Sequence, residues 1–415
     1  MIILKRISIL LILSLICWHV PVCPAANLYT DETRPFITEM RNDNLEAALG
    51  YADSFVQRTI NSDKEKQNKY LALLERGKVA LAAGKYDQCI ADMQEAEGRF
   101  LTIEGTISLT EGFGSILTDD RTQEYEAEMH EKIMISPYLA LAYLEKRDLA
   151  GAIVERNRTI NKINQYVEAD PGGRGYLENP FARLVSAIIY EMENKRDDAK
   201  IEYKKMQWGE EADRLEKKKE NSTDLLILID TGLAPHKYQV KWGPMPVVIK
   251  DKTIQLGFAY ASYEPTVSAV SKSDISIDGN SVGAAQLLYD VEKTVLAQYE
   301  KNRSVLMAKL VARMTAKAAV QVSAQAAADK IAKDDSMFGF LLKSIVNIAG
   351  AVWMAVEQAD LRGWLTLPGK INYLRVNGLS PGEHTIKINY GCGVQEKKIK
   401  LEKDKINIVY FSYAK

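Results

Sequence analysis

The sequence has few of the residues that build metal centres, disulfide scaffolds and nucleic-acid-binding surfaces. Four cysteines in 415 residues are too few for a disulfide-dense protein. The four histidines are isolated, and His130-Glu131 lacks the second histidine that a zinc-protease helix carries four residues after the first. Lys and Arg number 54 against 55 Asp and Glu, so the formal charge of −1 gives no electrostatic footprint for nucleic acid.

Motifs that carry catalysis are also missing from the sequence. We find no phosphate-binding loop, no G-x-S-x-G nucleophile turn, no protein-kinase signature and no Cys-x-x-Cys pair. The glycine-rich segment 170–175 is followed by Pro180, which favours a plain turn over a nucleotide site. We therefore predict no catalytic residues, no cofactor and no metal ion, and an enzyme with an unrecognised site stays as the last hypothesis.

Residues 1–26 have the three parts of a secretory signal peptide. Lys5 and Arg6 precede an apolar run at 7–17, which is shorter than the roughly 20 residues that span a bilayer. Small residues suited to cleavage follow at 25–26. The sequence therefore predicts secretion across the inner membrane, with an uncleaved N-terminal anchor as the alternative.

Removal of residues 1–26 changes the net charge and the number of cysteines. It takes away two cations and no acid, so the mature chain has a formal charge of −3. It also leaves Cys89 and Cys392 as the remaining cysteines. Because they lie in different predicted domains, we interpret them as two separately buried thiols.

Residues 27–222 predict a domain of helical hairpins. Apolar residues recur every three or four positions at 71–81, a break follows at 83–87, and a second apolar helix begins near Cys89. The same order of helix, short break and helix recurs at 139–153 and 182–203, and more faintly at 36–49.

The segment from Gly84 to Ile90 resembles the central turn of a tetratricopeptide repeat, where small residues let two helices pack closely. The corresponding small residues are separated by 41, 63 and 47 positions, whereas a regular array has a period of about 34. The resemblance implies an irregular tetratricopeptide-like solenoid with insertions, and an ordinary helical bundle is the alternative. The predicted repeat-packing residues are Ala48, Gly84, Tyr86, Cys89, Leu149, Ala152 and Ala199.

Residues 223–363 predict a mixed region of strands and helices. The apolar run at 224–230 is typical of a buried strand, and alternation predicts strands at 238–242 and 253–260. A hairpin is predicted at 275–282, and an Ala-rich helix begins near residue 285.

A markedly apolar helix is predicted at 338–356, and it includes Phe340 and Trp353. Three interpretations are open: a buried core helix, a contact with a membrane surface or partner, and a membrane-spanning helix. The sequence favours the core, because a spanning helix would place Lys343 in hydrocarbon.

Residues 364–415 predict a small antiparallel β-sheet module, so the fold class is α+β. Four alternating segments are separated by turns, and Leu379–Ile386 resembles the strand-turn-strand of PEGA-type surface modules. Asp360, Arg362 and Trp364 lie at the junction between the apolar helix and this module. They suit either an interaction hot spot or a structural junction in which Arg362 pairs with Asp360, and we prefer the structural interpretation.

The chain as a whole resembles an uncharacterised bacterial family of tetratricopeptide-containing cell-envelope proteins, often lipoproteins. The resemblance rests on the hairpins, on Asp230–Pro235 and above all on Gln358–Pro368. It implies a periplasmic or outer-membrane-associated location, although the sequence has no convincing lipidation site. The favoured hypothesis is a non-enzymatic scaffold that binds another envelope protein through a tetratricopeptide-like surface. The alternative is a membrane-associated component of an assembly or export machine that uses residues 338–356.

Overall fold

The computed structural model describes residues 29–63, 65–106, 123–169, 178–217, 222–249, 252–331 and 358–415. The predicted α+β class is confirmed, with 53% helix and 25% strand. The predicted signal peptide, the glycine-rich segment at 170–175 and the predicted apolar helix with Phe340 and Trp353 lie outside the described residues.

Nine helices account for most of the described chain between residues 29 and 217, and eight of them pair as the four predicted hairpins. They are α1 (Tyr29–Arg41), α2 (Leu45–Asn61), α3 (Lys69–Ala82), α4 (Tyr86–Thr106), α5 (Met129–Glu145), α6 (Leu149–Ala169), α7 (Pro180–Met192), α8 (Arg196–Lys205) and α9 (Gly209–Lys217). The first helices of the hairpins, α3, α5 and α7, are buried over most of their residues because they lie between the second helices and the β-sheet.

The same backbone turn follows α1, α3, α5, α7 and α8. In each turn one residue adopts the left-handed conformation, with φ between +60° and +73°. The next N–H then bonds to a carbonyl in the last turn of the helix, as Lys85 does to Ala80 at 2.8 Å, which is the bond of a Schellman motif. The left-handed residues are Asp43, Gly84, Arg147, Asn194 and Gln207.

A small buried residue lies five positions after the left-handed residue of each turn. Four of the five are the packing positions named from the sequence, and the fifth, Ala212, was not predicted. The small side chain lets the second helix approach the first, which is why the position repeats although the helix lengths differ. The five residues are Ala48, Cys89, Ala152, Ala199 and Ala212, each at most 2% exposed.

Replacing the exposed left-handed residue Gln207 by glycine is expected to stabilise the protein. A non-glycine residue in the left-handed conformation costs about 1–2 kcal/mol, and glycine avoids this cost. Part of the gain is lost because glycine has more conformational entropy in the unfolded chain. We expect Gln207→Gly to raise the free energy of unfolding by about 0.5–1 kcal/mol. Urea denaturation would measure it. Lys204→Gly, inside α8, is the matched control and should lower that free energy by about 1 kcal/mol. Destabilisation by both changes would contradict the role given to the turn.

The second half of the chain contributes ten strands and one long helix in the described residues. They are β1 (Asp224–Thr231), β2 (His236–Ile249), β3 (Lys252–Glu264), β4 (Asp274–Ile277), β5 (Asn280–Ala284), β6 (Gln286–Asp290), α10 (Val291–Ile331), β7 (Lys370–Val376), β8 (Gly382–Asn389), β9 (Val394–Leu401) and β10 (Ile406–Tyr413). A first sheet has the order β10-β1-β7-β6, a second has the order β5-β4-β8-β9, and β2 pairs with β3. The predicted strands and the hairpin at 275–282 are confirmed.

Strand β1 is the centre of a three-layer core. All eight of its residues are buried. Leu226 and Leu228 pack with the helical hairpins, whereas Leu225 and its face-sharing neighbours pack with the second sheet. The layers are therefore helices, first sheet and second sheet, and the predicted buried strand lies in the middle one.

Strands of the predicted module at 364–415 pair mainly with strands from the preceding region. β7 lies antiparallel to β1, β10 lies parallel to β1, and β8 pairs with β4. The parallel pair departs from the antiparallel arrangement that the sequence predicted. The physical reason is that a strand as apolar as β1 needs a neighbour on each side and a layer over each face.

The β2–β3 hairpin and α10 form a unit that we call the arm. Helix α10 has 41 residues, a length of about 60 Å. It runs along the outer edge of β3, where the Gln321 side chain accepts from the Gln255 N–H at 2.9 Å and donates to the Gln255 carbonyl at 2.8 Å. A glutamine side chain thus satisfies backbone groups at a strand edge.

Candidate functional site

Residues 358–368, which we call the strap, lie against the first helices of the hairpins. Glu131 in α5 accepts a hydrogen bond from the Trp364 N–H at 2.7 Å. Glu75 in α3 accepts from the Leu365 N–H at 2.8 Å and from the Thr366 N–H at 2.9 Å. Two buried carboxylates therefore bind three consecutive backbone N–H groups, and the helical layer holds an irregular segment of its own chain.

Glu75 is fully buried at this contact. Burial raises its pKa to about 7, although hydrogen bonds from Thr366 and Leu365 favour the charged form. The Tyr29 hydroxyl also donates to Glu75, at 2.9 Å. Burial, and then the charge of Glu75, raises the pKa of Tyr29 well above its ordinary value, so this phenol remains a donor.

The predicted junction residues lie inside this contact. Arg362 pairs with Asp360 at 2.6 Å and donates to Asn68 at 3.1 Å. Burial alone raises the pKa of Asp360, but the hydrogen bonds and charge of Arg362 outweigh it and hold that pKa below its ordinary value. Trp364 is 2% exposed and packs edge-on against Tyr138, with ring centroids 6.2 Å apart. These contacts match the structural interpretation, and Trp364 is hidden from any partner.

A second buried polar cluster fastens the helices to the first sheet. The Lys78 ammonium lies 2.8 Å from the Asp230 carboxylate, and each side chain is at most 2% exposed. The hydroxyls of Tyr138 and Tyr410 donate to the same carboxylate oxygen at 2.8 and 2.7 Å. Burial, and then the charge of Asp230, raises the pKa of both phenols well above the ordinary value. The phenols stay protonated, and the cluster joins α3, α5, β1 and β10.

Sequence reasoning missed Glu75, Lys78, Glu131 and Asp230 as contact residues. A signal was available for two of them. Glu75 and Lys78 are charged residues within the apolar stretch of α3, and charges on a buried helix need partners. Their partners in β1 and the strap lie between 152 and 291 positions away in the chain, and sequence spacing carries no information at that range.

The face of the hairpins opposite the strap is exposed. Because the turn repeats, positions seven residues after the left-handed residue are equivalent in the four second helices. Each of these positions is exposed and holds a small or aliphatic residue: Gly50, Ala91, Val154 and Ile201. We call them the outer row. Val154 is 49% exposed and Ile201 is 50% exposed, so two aliphatic side chains on neighbouring hairpins face solvent.

The remaining predicted packing residues stay in the hairpins. Gly84 is the left-handed residue of its turn. The Tyr86 hydroxyl donates to Glu145 at 3.0 Å and ties α4 to α5. Leu149 is half-buried and packs against the core. These residues shape the hairpins and do not converge on a common site.

A cavity of about 540 Å³ separates two hairpin turns from the β9–β10 hairpin. Three of the charged residues that line it pair with one another. Glu402 lies 3.0 Å from Arg147 and 2.6 Å from Lys405. Within the described ranges no group of His, Cys, Asp and Glu has the arrangement of a metal site.

Comparisons of the chain with protein-family models, with curated proteins and with solved structures give no match. Among the described helices none is both long enough and apolar enough to cross a membrane.

Proposed function

We propose that the protein is a non-enzymatic scaffold of the bacterial cell envelope that binds another envelope protein. In this proposal residues 1–26 direct secretion, and the hairpins form an irregular tetratricopeptide-like solenoid. The binding surface is the outer row. The opposite side of the hairpins, which we call the groove side, is covered by the strap and the first sheet. A cleaved signal peptide would place the mature protein in the periplasm or at the outer membrane.

The observation that carries the proposal is the repeated turn with its equivalent exposed positions. The turns of the four hairpins share one geometry and hold the helices in a common relation, and the outer row follows from that repetition. Arrays of helical hairpins typically bind other proteins through their concave surface, which is covered here, so the outer row is the repeated surface that stays open to a partner. Val154 and Ile201 supply aliphatic side chains that a partner would bury, at a gain of about 0.7–1.5 kcal/mol each, because half of each side chain is already buried.

Site-specific photo-crosslinking in intact cells tests the proposal. A photoreactive amino acid at position 154 or 201 is expected to give one discrete protein adduct. The same amino acid at Val394, which is 50% exposed on β9, is the matched control and should give no such adduct. The double change Val154→Asp and Ile201→Asp should lower the adduct yield from a photoreactive group at position 91 by at least about tenfold.

Positions 91, 154 and 201 are exposed, so the fold should tolerate the photoreactive amino acid and the two Asp substitutions. Circular dichroism of the double variant checks this directly. Equal adducts from positions 154, 201 and 394, or none from any of them, would remove the outer row from the binding proposal.

The alternative function is a membrane-associated component of an assembly or export machine that uses residues 338–356. Those residues lie outside the described ranges, so this alternative stays a proposal from the sequence. Fractionation separates the two: release of the full chain as a soluble periplasmic protein without detergent would argue against it.

A further inference from the structure

The β2–β3 hairpin has one face rich in aromatic and apolar side chains, of which Trp242 and Met245 are exposed and Phe258 and Tyr260 are half-buried. Strand pairing places Trp242 opposite Phe258 and Met245 opposite Leu256, and side chains two residues apart share a face. The rings of Trp242 and Phe258 stack with centroids 5.5 Å apart, and Tyr260 lies 6.1 Å from Phe258. We call this the aromatic face.

The part of the aromatic face around Trp242 and Met245 is open to solvent, whereas Ile254, farther along β3 on the same face, is fully buried. The opposite face of the hairpin packs on the strap, where Ala259 meets Ala359 and Leu361. On the aromatic face, Trp242 remains 40% exposed and Met245 remains 45% exposed. Seven of the fifteen large apolar side chains that are exposed in the described ranges belong to the arm. They are Tyr238, Trp242, Met245, Val248, Val305, Val311 and Val320.

The arm is also the cationic part of an otherwise acidic chain. Residues 236–264 and 291–331 together contain eleven Lys and Arg and five Asp and Glu, a formal charge of +6 in a chain whose total is −1. Between residues 301 and 328, α10 carries five cations and no acid. Lys293, Arg303 and Lys309 are exposed along this helix, which flanks the hairpin from Tyr299 to Gln325.

We propose that the arm docks on the surface of a lipid bilayer with anionic headgroups, with the aromatic face toward the bilayer. Tryptophan and tyrosine favour the headgroup level of membranes, where the ring is partly buried and its polar edge stays wet. Clustered cations add attraction to anionic lipids, and this attraction weakens as salt rises. An anionic bilayer suits both features of the arm, because it attracts the exposed cations Lys293 and Lys309 and can partly bury the exposed side chains of Trp242 and Met245.

Vesicle flotation of the full-length protein tests the proposal. The wild type is expected to float with vesicles of phosphatidylglycerol and phosphatidylethanolamine and to stay below with phosphatidylcholine vesicles. Trp242→Glu combined with Met245→Glu should lower the bound fraction by at least about tenfold. Val267→Glu introduces the same charge at a side chain that is 91% exposed outside the arm, and it should bind as the wild type does.

A third variant separates the cations from the apolar contact. Lys293→Gln with Lys309→Gln should weaken binding at low salt and reduce its salt dependence, while α10 remains a helix by circular dichroism. If the variant with Trp242→Glu and Met245→Glu still binds the vesicles, the membrane contact belongs to another segment and the proposal is overturned. Equal binding to neutral vesicles, no binding to either vesicle, or a protein adduct from a photoreactive group at position 245 would also overturn it.

Discussion

Replacing Lys78 by methionine is expected to lower the free energy of unfolding by about 3–5 kcal/mol. The ammonium lies 2.8 Å from Asp230, and both side chains are almost completely buried. Methionine fills a similar volume but leaves the Asp230 carboxylate without its counter-charge. Two phenol hydroxyls still donate to that carboxylate, but they carry no charge. Urea denaturation followed by circular dichroism measures the loss.

The matched control for this prediction is Lys66→Met. Lys66 pairs with Asp63 at 3.3 Å, but the two side chains are 70% and 98% exposed, so the pair contributes at most about 1 kcal/mol. Replacing both members of the buried pair, as Lys78→Met with Asp230→Leu, should recover part of the lost stability because no buried charge remains. Similar losses from Lys78→Met and Lys66→Met would contradict the structural role of the cluster.

The second large effect is a pH dependence that arises from Glu75. In the unfolded chain its carboxyl ionises at the ordinary pKa of 4.5, whereas in the folded protein the pKa is raised to about 7. Between these values the folded state binds more protons, so the contribution of Glu75 to stability falls as pH rises. The fall amounts to about 3 kcal/mol across this range. Glu75→Gln keeps the shape and removes the ionisation.

We therefore expect the stability of Glu75→Gln, relative to the wild type, to rise by about 3 kcal/mol from pH 4 to pH 8. The measurement is urea denaturation of both proteins at several pH values. Glu46→Gln is the control, because it makes the same substitution at a side chain that is 74% exposed. A difference that is constant with pH for Glu75→Gln would contradict the buried, charge-disfavouring environment assigned to this residue.

These two predictions concern the same architectural feature. The side of the hairpins that faces the strap and the first sheet is closed by contacts within the chain. Glu75 and Glu131 hold the strap, and Lys78 meets Asp230 on β1. The two surfaces that we propose for binding are therefore others, the outer row for a protein and the arm for a bilayer. The two surfaces differ in charge and in side-chain type, so protein crosslinking tests one and vesicle flotation tests the other.

Local sequence patterns predicted the elements of this fold well. The hairpins with their small packing residues and the buried strand β1 depend on periodicity and composition within 10–40 residues, which a sequence displays directly. The turn at Gln207 escaped notice because α8 is short and its pattern is dominated by charged residues. Its neighbour Ala212 nevertheless occupies the same packing position as Ala48 and Cys89.

The sequence by itself determined the α+β class, the hairpins and a central strand that must be covered on both faces. Only the tertiary structure decided which strands flank β1, that the strap closes the groove side, and which charged residues meet in the interior. The physical reason is the separation along the chain of the residues that interact. Helices, turns and strand periodicity arise from neighbouring residues. In contrast, the pairing of Lys78 with Asp230, or of Glu75 with the strap, joins residues more than 150 positions apart, and burial alone makes those partners necessary.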